Sequence, residues 1–330
     1  MHSRYCQYRN KQQYAAPASY RCYWLFLYKP SCYKPDMHTA NTTAILPSPA
    51  LAPYIRCFLL RELDTAGENV WMPCYARHEW FMPFCLQSRY KAFTRPGHNS
   101  TAAGDVTQPA LALGISTGFA GSVCHNGQYR IFSIQFKPAG FYRIFGIPAA
   151  AFTDRFFDLP SIAGPYASLL LQQLQEAASL AAMKQHAETF LQYFLRRSKW
   201  RDPHNSIQQL AATLHNSAEV PITQLAAQAN LSQRTFQRRF TEQVGVSPKT
   251  FARIARFNRA MQLKLEQPEN NWTHIAHTCG YYDQMHMIKD FRDFTTLTPT
   301  ELSDLTPAQA EYHQYSSAIT SLIITGNPLY

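Results

Sequence analysis

The chain has 330 residues, of which 14% are aromatic and 16% charged, with a formal net charge of +10. That length accommodates two domains with apolar cores, and the eight cysteines, with no CxxC pair and no regular spacing, fit reduced thiols in a cytosolic protein. The apolar run at 23–28 is too short to cross a bilayer and lacks the long apolar region and cleavage site of a signal peptide, so neither membrane insertion nor export is expected.

Residues 1–36 are rich in Tyr, Cys, Gln and basic residues and show neither helical nor strand periodicity, so they read as a disordered tail. Arg4, Arg9, Lys11, Arg21, Lys29 and Lys34 lie in it, and much of the positive charge belongs there. Met37 opens a segment that looks like an ordinary start, so translation is expected to begin there; a basic DNA-binding arm is the other reading of the tail.

From about residue 45 to 136 the segments PYIRCFLLREL, EWFMPFCLQS, LALGIST and YRIFSIQF are short, rich in aromatic or β-branched residues and separated by turn signals. They predict strands of a sandwich or small barrel. Asn126-Gly127 predicts a hairpin turn, since both residues tolerate positive φ. Between Pro165 and Ser198 the period becomes helical, with Leu170, Leu174 and Ala178 on one stripe and Phe190, Leu191, Phe194 and Leu195 on another. Pro203 opens a further helix, SIQQLAATLHN.

A stretch then occurs twice, fifty-one residues apart: Ser232 to Pro248 and Asp283 to Pro299. The copies pair Gln233 with Gln284, Phe236 with Met287, Arg238 with Lys289 and Phe240 with Phe291. Asn230 and Gly280, in the turns just before, suit a left-handed backbone. Ser232 and Asp283 read as N-caps, which completes helix, tight turn and capped helix twice. Phe236 and Phe240, and Met287, Phe291 and Phe294, form the core faces. Arg234, Gln237, Arg238 and Thr241, and Met285, Ile288, Lys289 and Arg292, lie roughly opposite. Arg suits guanine, Gln suits adenine, and Ile288 suits a thymine methyl. Seven basic residues from Asn230 to Ala260 face only Glu242, whereas acidic residues outnumber basic ones from Met261 to Leu305. The first unit is therefore expected to supply most phosphate attraction.

The segments LSQRTFQRRFTEQVGVSP, KTFARIARFNRAMQL and WTHIAHTCGYYDQMHMIKDFRDFTTLTPTEL resemble the DNA-binding domain of AraC/XylS-type transcription regulators over about Pro203 to Leu305. The resemblance implies two units on one long helix, placing their second helices in adjacent major grooves of double-stranded DNA. It implies Gln233, Arg234, Gln237 and Arg238 as the first reading set and Gln284, Met285, Ile288 and Lys289 as the second. Members of the family usually carry a small polar residue where Met285 stands, an aromatic where Met287 stands and Gly where Thr296 stands. FKPAGFYRIFGIPAAAFTDRFFDL at 136–159 is similar to the end of the cupin-like N-terminal domain of some members. In related regulators the helical region after it carries dimer contacts, which implies a homodimer.

The expected fold is α+β: a β-rich, cupin-like sensor at 37–160, a helical connector at 161–202, and an all-α domain with two helix-turn-helix motifs at 203–305. Residues 306–330 form a C-terminal tail without clear pattern. The expected function is sequence-specific, salt-dependent DNA binding in transcription regulation, controlled by a small-molecule effector, with RNA polymerase as a partner if the protein activates. His78 and Trp80 are the residues to watch for an effector, within the aromatic group Trp71, Tyr75, Trp80, Phe81 and Phe84; plain core is the alternative for that group. Cys74, His78, His98, Cys124 and His125 make no four-ligand zinc signature; a cupin-like barrel would draw on His78, Glu79 and His125. There is no GxSxG, no phosphate-cradling glycine loop and no HExxH, so neither catalysis nor a cofactor is expected. The competing readings are a cupin-type enzyme or small-molecule binding protein with a helical scaffold, and a nonspecific architectural DNA-binding protein.

Overall fold

A computed structural model describes residues 39–87, 90–94, 104–106, 109–200, 206–216 and 220–303. The expectations for residues 1–36, for His98, for Pro203 and for 306–330 lie outside them. The strands are β1 (Thr39–Ile45), β2 (Ile55–Pro73), β3 (Trp80–Gln87), β4 (Tyr90–Thr94), β5 (Gly104–Val106), β6 (Leu111–Leu113), β7 (Gly121–Phe136) and β8 (Phe156–Asp158). All pair antiparallel in one eight-stranded sheet, ordered β1-β2-β7-β3-β6-β8, with β4 joining β7 to β5. On one side β7 runs along β2; on the other it meets β4 with its first residues and β3 with its last. Alternation sets the inner face: Phe132, Ile134 and Phe136 of β7 and Trp80, Met82 and Phe84 of β3 are buried.

The expected hairpin at Asn126-Gly127 is not formed. Both residues lie inside β7, opposite a register shift of β2 between Asp64 and Asn69. Gly127 does take a positive φ of 83°, and its N–H donates to Thr65 Oγ1 across the irregularity at 2.7 Å. The permissive residue thus absorbs a bulge between two long strands.

Helix α1 (Gly140–Phe145) and a 3-10 turn (Ala149–Phe152) follow β7; α2 (Pro160–Ala163), α3 (Pro165–Glu176) and α4 (Leu180–Arg197) follow β8. Ala167, Leu170 and Leu174 are the buried stripe of α3, but the expected third member, Ala178, is exposed in the break before α4. Ser179 starts α4 there, its hydroxyl accepting from Ala182 N–H at 3.2 Å. The remaining helices are α5 (Ser206–Asn216), α6 (Ile222–Gln228), α7 (Gln233–Val244), α8 (Pro248–Glu266), α9 (Trp272–Thr278), α10 (Gln284–Thr295) and α11 (Pro299–Ser303). One apolar core runs from the sheet through α3 and α4 into these helices.

Candidate nucleic-acid interface

Helices α6 and α7 make the first helix-turn-helix, α9 and α10 the second, and the nineteen-residue α8 joins them. Asn230 turns the chain before α7 with φ 54°, and Gly280 before α10 with φ 74°. Ser232 Oγ accepts from Thr235 N–H at 3.3 Å, and Asp283 Oδ1 from His286 N–H at 2.8 Å, so each second helix starts on a side-chain cap. Asp283 also meets His286 Nδ1 at 2.9 Å. The backbone and ring hydrogen bonds to His286 hold the Asp283 carboxyl below its ordinary range.

Burial divides the two faces of each helix. Phe236 and Phe240 of α7 and Met287, Phe291 and Phe294 of α10 are buried. Gln233, Arg234 and Arg238 are exposed and Gln237 half-buried; on α10, Gln284, Met285 and Lys289 are exposed and Ile288 half-buried. Arg238 stands 69% exposed, with only Glu242 at 3.9 Å for an ionic neighbour on its helix.

The basic residues of α8 have a different occupation. Arg253 donates from Nε and Nη2 to Asp290 Oδ1 at 2.9 and 2.6 Å and from Nη2 to Asp293 Oδ2 at 2.6 Å. Arg256 donates to Gly280 O and Arg259 to Cys279 O, both at 2.9 Å. Arg256 also lies over the Tyr281 ring, 4.5 Å from its centroid. These three arginines fasten the second unit to the joining helix. The basic residues of the first unit outside these contacts are Arg234, Arg238, Arg239 and Lys249. The spacing of three between Arg253, Arg256 and Arg259 was the signal, since it places them along one helix face.

The β domain grips this assembly at the end of α7. Trp80 Nε1 donates to Val244 O at 3.1 Å, and Thr153 Oγ1 to Gly245 O at 2.5 Å. Gly245, with φ 116°, ends α7, and a Cβ there would stand 3.3 Å from Thr153 Oγ1. Asn258 Nδ2 of α8 donates to His78 Nδ1 at 2.9 Å; the His78 ring lies 4.7 Å from that of His215 of α5 and meets Phe251 of α8 edge-on. Burial, then the charges of His215 and Arg56, hold His78 well below its ordinary pKa; burial, then Arg56 and Arg259, push His215 down to about 3.

Trp80 also stacks on Phe141 at 4.3 Å. Phe84 is buried, Tyr75 and Phe81 half-buried, and the side chain of Trp71 lies outside the described residues. His125 stacks on Tyr129 at 4.1 Å, and burial, with Arg61 adding to it, pushes its pKa down to about 3. Among the described residues no group of three or more His, Cys, Asp or Glu is placed to hold a metal ion, and no helix is long and apolar enough to cross a membrane.

Two capped helix-turn-helix units on a shared helix, docked on an antiparallel β domain, define the class of molecule, and the C-terminal domain is of the AraC/XylS type. Residues 225–304 match the family model of a helix-turn-helix domain, and residues 43–158 match a domain of unknown function (DUF6597). The chain is similar to the probable transcriptional regulator LumQ of Photobacterium leiognathi, 25% identical over 156 residues, or 45% of this chain and 62% of that protein. It is also similar to the transcriptional activator RhaS of Pectobacterium atrosepticum, 33% identical over 98 residues, or 29% of this chain and 35% of that one. The chain thus spans less than two thirds of the length of either relative. ToxT of Vibrio cholerae O395 superposes with a TM-score of 0.42 at 9% identity, over 82% of this chain and 98% of that one.

Proposed function

We propose that the chain is a sequence-specific, DNA-binding transcription regulator whose β domain responds to a small-molecule effector. The observation that carries this reading is the pair of capped helices, each burying its aromatic face and presenting a polar or cationic one away from a common helix. Gln233, Arg234, Gln237 and Arg238 form the first reading set, and Gln284, Met285, Ile288 and Lys289 the second. The N-termini capped by Ser232 and Asp283 lie toward phosphates, and the two sets fall about one helical turn, roughly 34 to 36 Å, apart on the duplex. That both relatives named above are transcription regulators supports a regulatory rather than catalytic role.

The effector assignment concerns His78 and Trp80. Both are buried against the DNA-binding domain, so a ligand that shifted either would act directly on α7 or α8 and change the balance between arrangements. A homodimer through α3 and α4, contact with RNA polymerase and a cytoplasmic setting complete the proposal. Exposed Tyr166 and Leu169 on α3 support the first of these.

The test is selection of genomic fragments by the purified protein at near-physiological salt. One enriched bipartite motif with half-sites about a helical turn apart is the expected result. Salt-sensitive binding without enrichment would overturn sequence specificity.

A further inference from the structure

The two reading helices differ in chemistry. On α7 the outward stripe is Arg234, Gln237, Arg238 and Thr241, all able to hydrogen-bond. On α10 the stripe opposite the buried Met287, Phe291 and Phe294 is Met285, Ile288, Lys289 and Arg292, spaced i, i+3, i+4 and i+7. Its first half is apolar and its second half cationic. Met285 is 68% exposed, whereas Met287, two residues on, is fully buried. Packing accounts for Met287 and not for Met285. Just ahead of the helix Tyr282 is 87% exposed, its ring edge-on to His286 at 5.7 Å. Tyr282 and Met285 are the most exposed large apolar side chains among the described residues.

In a helix-turn-helix the first residues of the second helix meet base edges in the major groove. The one apolar group a base pair offers there is the C5-methyl of thymine. Arg292, one turn beyond Ile288 on the same stripe, is placed for a flanking phosphate. We infer that the second unit reads thymine methyl groups through Met285 and Ile288, with Tyr282 extending the apolar surface, while the first unit reads by hydrogen bonds. The inference rests on the DNA-binding reading proposed above and names the base class of its second half-site. Such a site discriminates thymine from cytosine without a donor or acceptor of its own.

Deoxyuridine tests this directly, because it keeps every hydrogen-bonding group of thymine and lacks only the methyl. With the full chain and its selected site, replacing the thymines of the second half-site by deoxyuridine is expected to weaken binding about fourfold per methyl in contact. The same replacement in the first half-site should change binding little. Met285→Gln, at an exposed position the fold does not use, should bring the thymine-to-deoxyuridine ratio in the second half-site to about one at the contacted base. A selected motif without thymine in that half-site, or full affinity for the deoxyuridine site, would overturn the inference while leaving the regulator reading intact. Equal deoxyuridine losses in the parent protein and Met285→Gln would overturn it as well, since the methyl would then act through duplex shape. A Met285→Gln protein with unaltered DNA binding but lost transcription would assign the surface to a protein partner instead. Failure to select any motif strikes the DNA-binding reading itself.

Discussion

Trp80 Nε1 donates to the carbonyl oxygen of Val244, 3.1 Å away and 164 positions later in the chain. The indole belongs to the first residue of β3 and the carbonyl to the last residue of α7. A carbonyl at that place has no later turn of its own helix to accept from, so the β domain supplies the donor. Trp80→Phe keeps an aromatic ring beside Phe141 but removes the N–H together with part of the buried indole. It is expected to cost at least about 1 to 3 kcal/mol of unfolding free energy, from the buried acceptor left without its donor and the packing lost with the ring. Urea denaturation measures it, and an unchanged midpoint would mean that water takes the indole's place.

His78 and His215 make the contact sensitive to acid. Both are held neutral, first by burial and then by the cations nearby, Arg56 for both and Arg259 for His215; Glu79, the neighbouring carboxylate, is already paired with Arg56. With the folded pKa below the ordinary 6.5, the unfolded chain binds more protons in this range, and stability falls as pH falls. It is complete above about pH 6.5 and declines as the pH falls toward 3, the folded value of His215. Between about pH 7.5 and 5.5 ordinary carboxylates stay ionised, so the histidines can be read apart from them. Denaturation midpoints at about pH 7.5 and 5.5 should therefore differ in the parent and differ less in His215→Gln.

Arg238 separates base reading from charge neutralisation. Arg238→Ala should lose about 1 to 3 kcal/mol on the selected site and relax base preference there. Equal losses on selected and random DNA, measured side by side, would reduce Arg238 to a phosphate contact.

Arg253 has no such role in this structure. It grips Asp290, which is buried, and Asp293. Arg253→Ala leaves the Asp290 carboxylate with Arg256, 3.9 Å away, as its ionic neighbour, and is expected to cost about 1 to 3 kcal/mol. Calorimetry should show a lowered transition; loss of DNA affinity with unchanged stability would reverse this assignment.

Thr296 ends α10 with φ 70°, a left-handed backbone that a β-branched residue adopts at a cost. Gly245 occupies the matching place after α7. Thr296→Gly should stabilise the domain by about 1 kcal/mol, read as a higher denaturation midpoint.

The helix-turn-helix pair was legible because its determinants are local: Asn230 and Gly280 before the caps, and aromatic residues returning at helical spacing. Asn126-Gly127 misled for the complementary reason. A turn dipeptide and a bulge inside long strands demand the same positive φ at Gly127, and the distinction lies with Thr65 and its neighbours, some sixty positions upstream. Ala178 fell on a helical stripe whose continuity Ser179 interrupts by starting a new helix. The roles of Arg253 and Trp80 depend on partners 37 and 164 residues away, beyond the reach of any periodicity.

The arginines fastened along α8 also bound the ionic cost of meeting a duplex. With Arg253, Arg256 and Arg259 occupied inside the domain, the proposed interface would offer DNA Arg234, Arg238, Arg239, Lys249, Lys289 and Arg292. In the proposed reading, release of counter-ions at those six side chains alone gives a log–log slope of affinity against salt of about −5, to be measured without residues 1–36. The chain's formal charge of +10 is a poor guide to that number, because part of the charge that makes it look avid for polyanions is spent holding its own second unit in place.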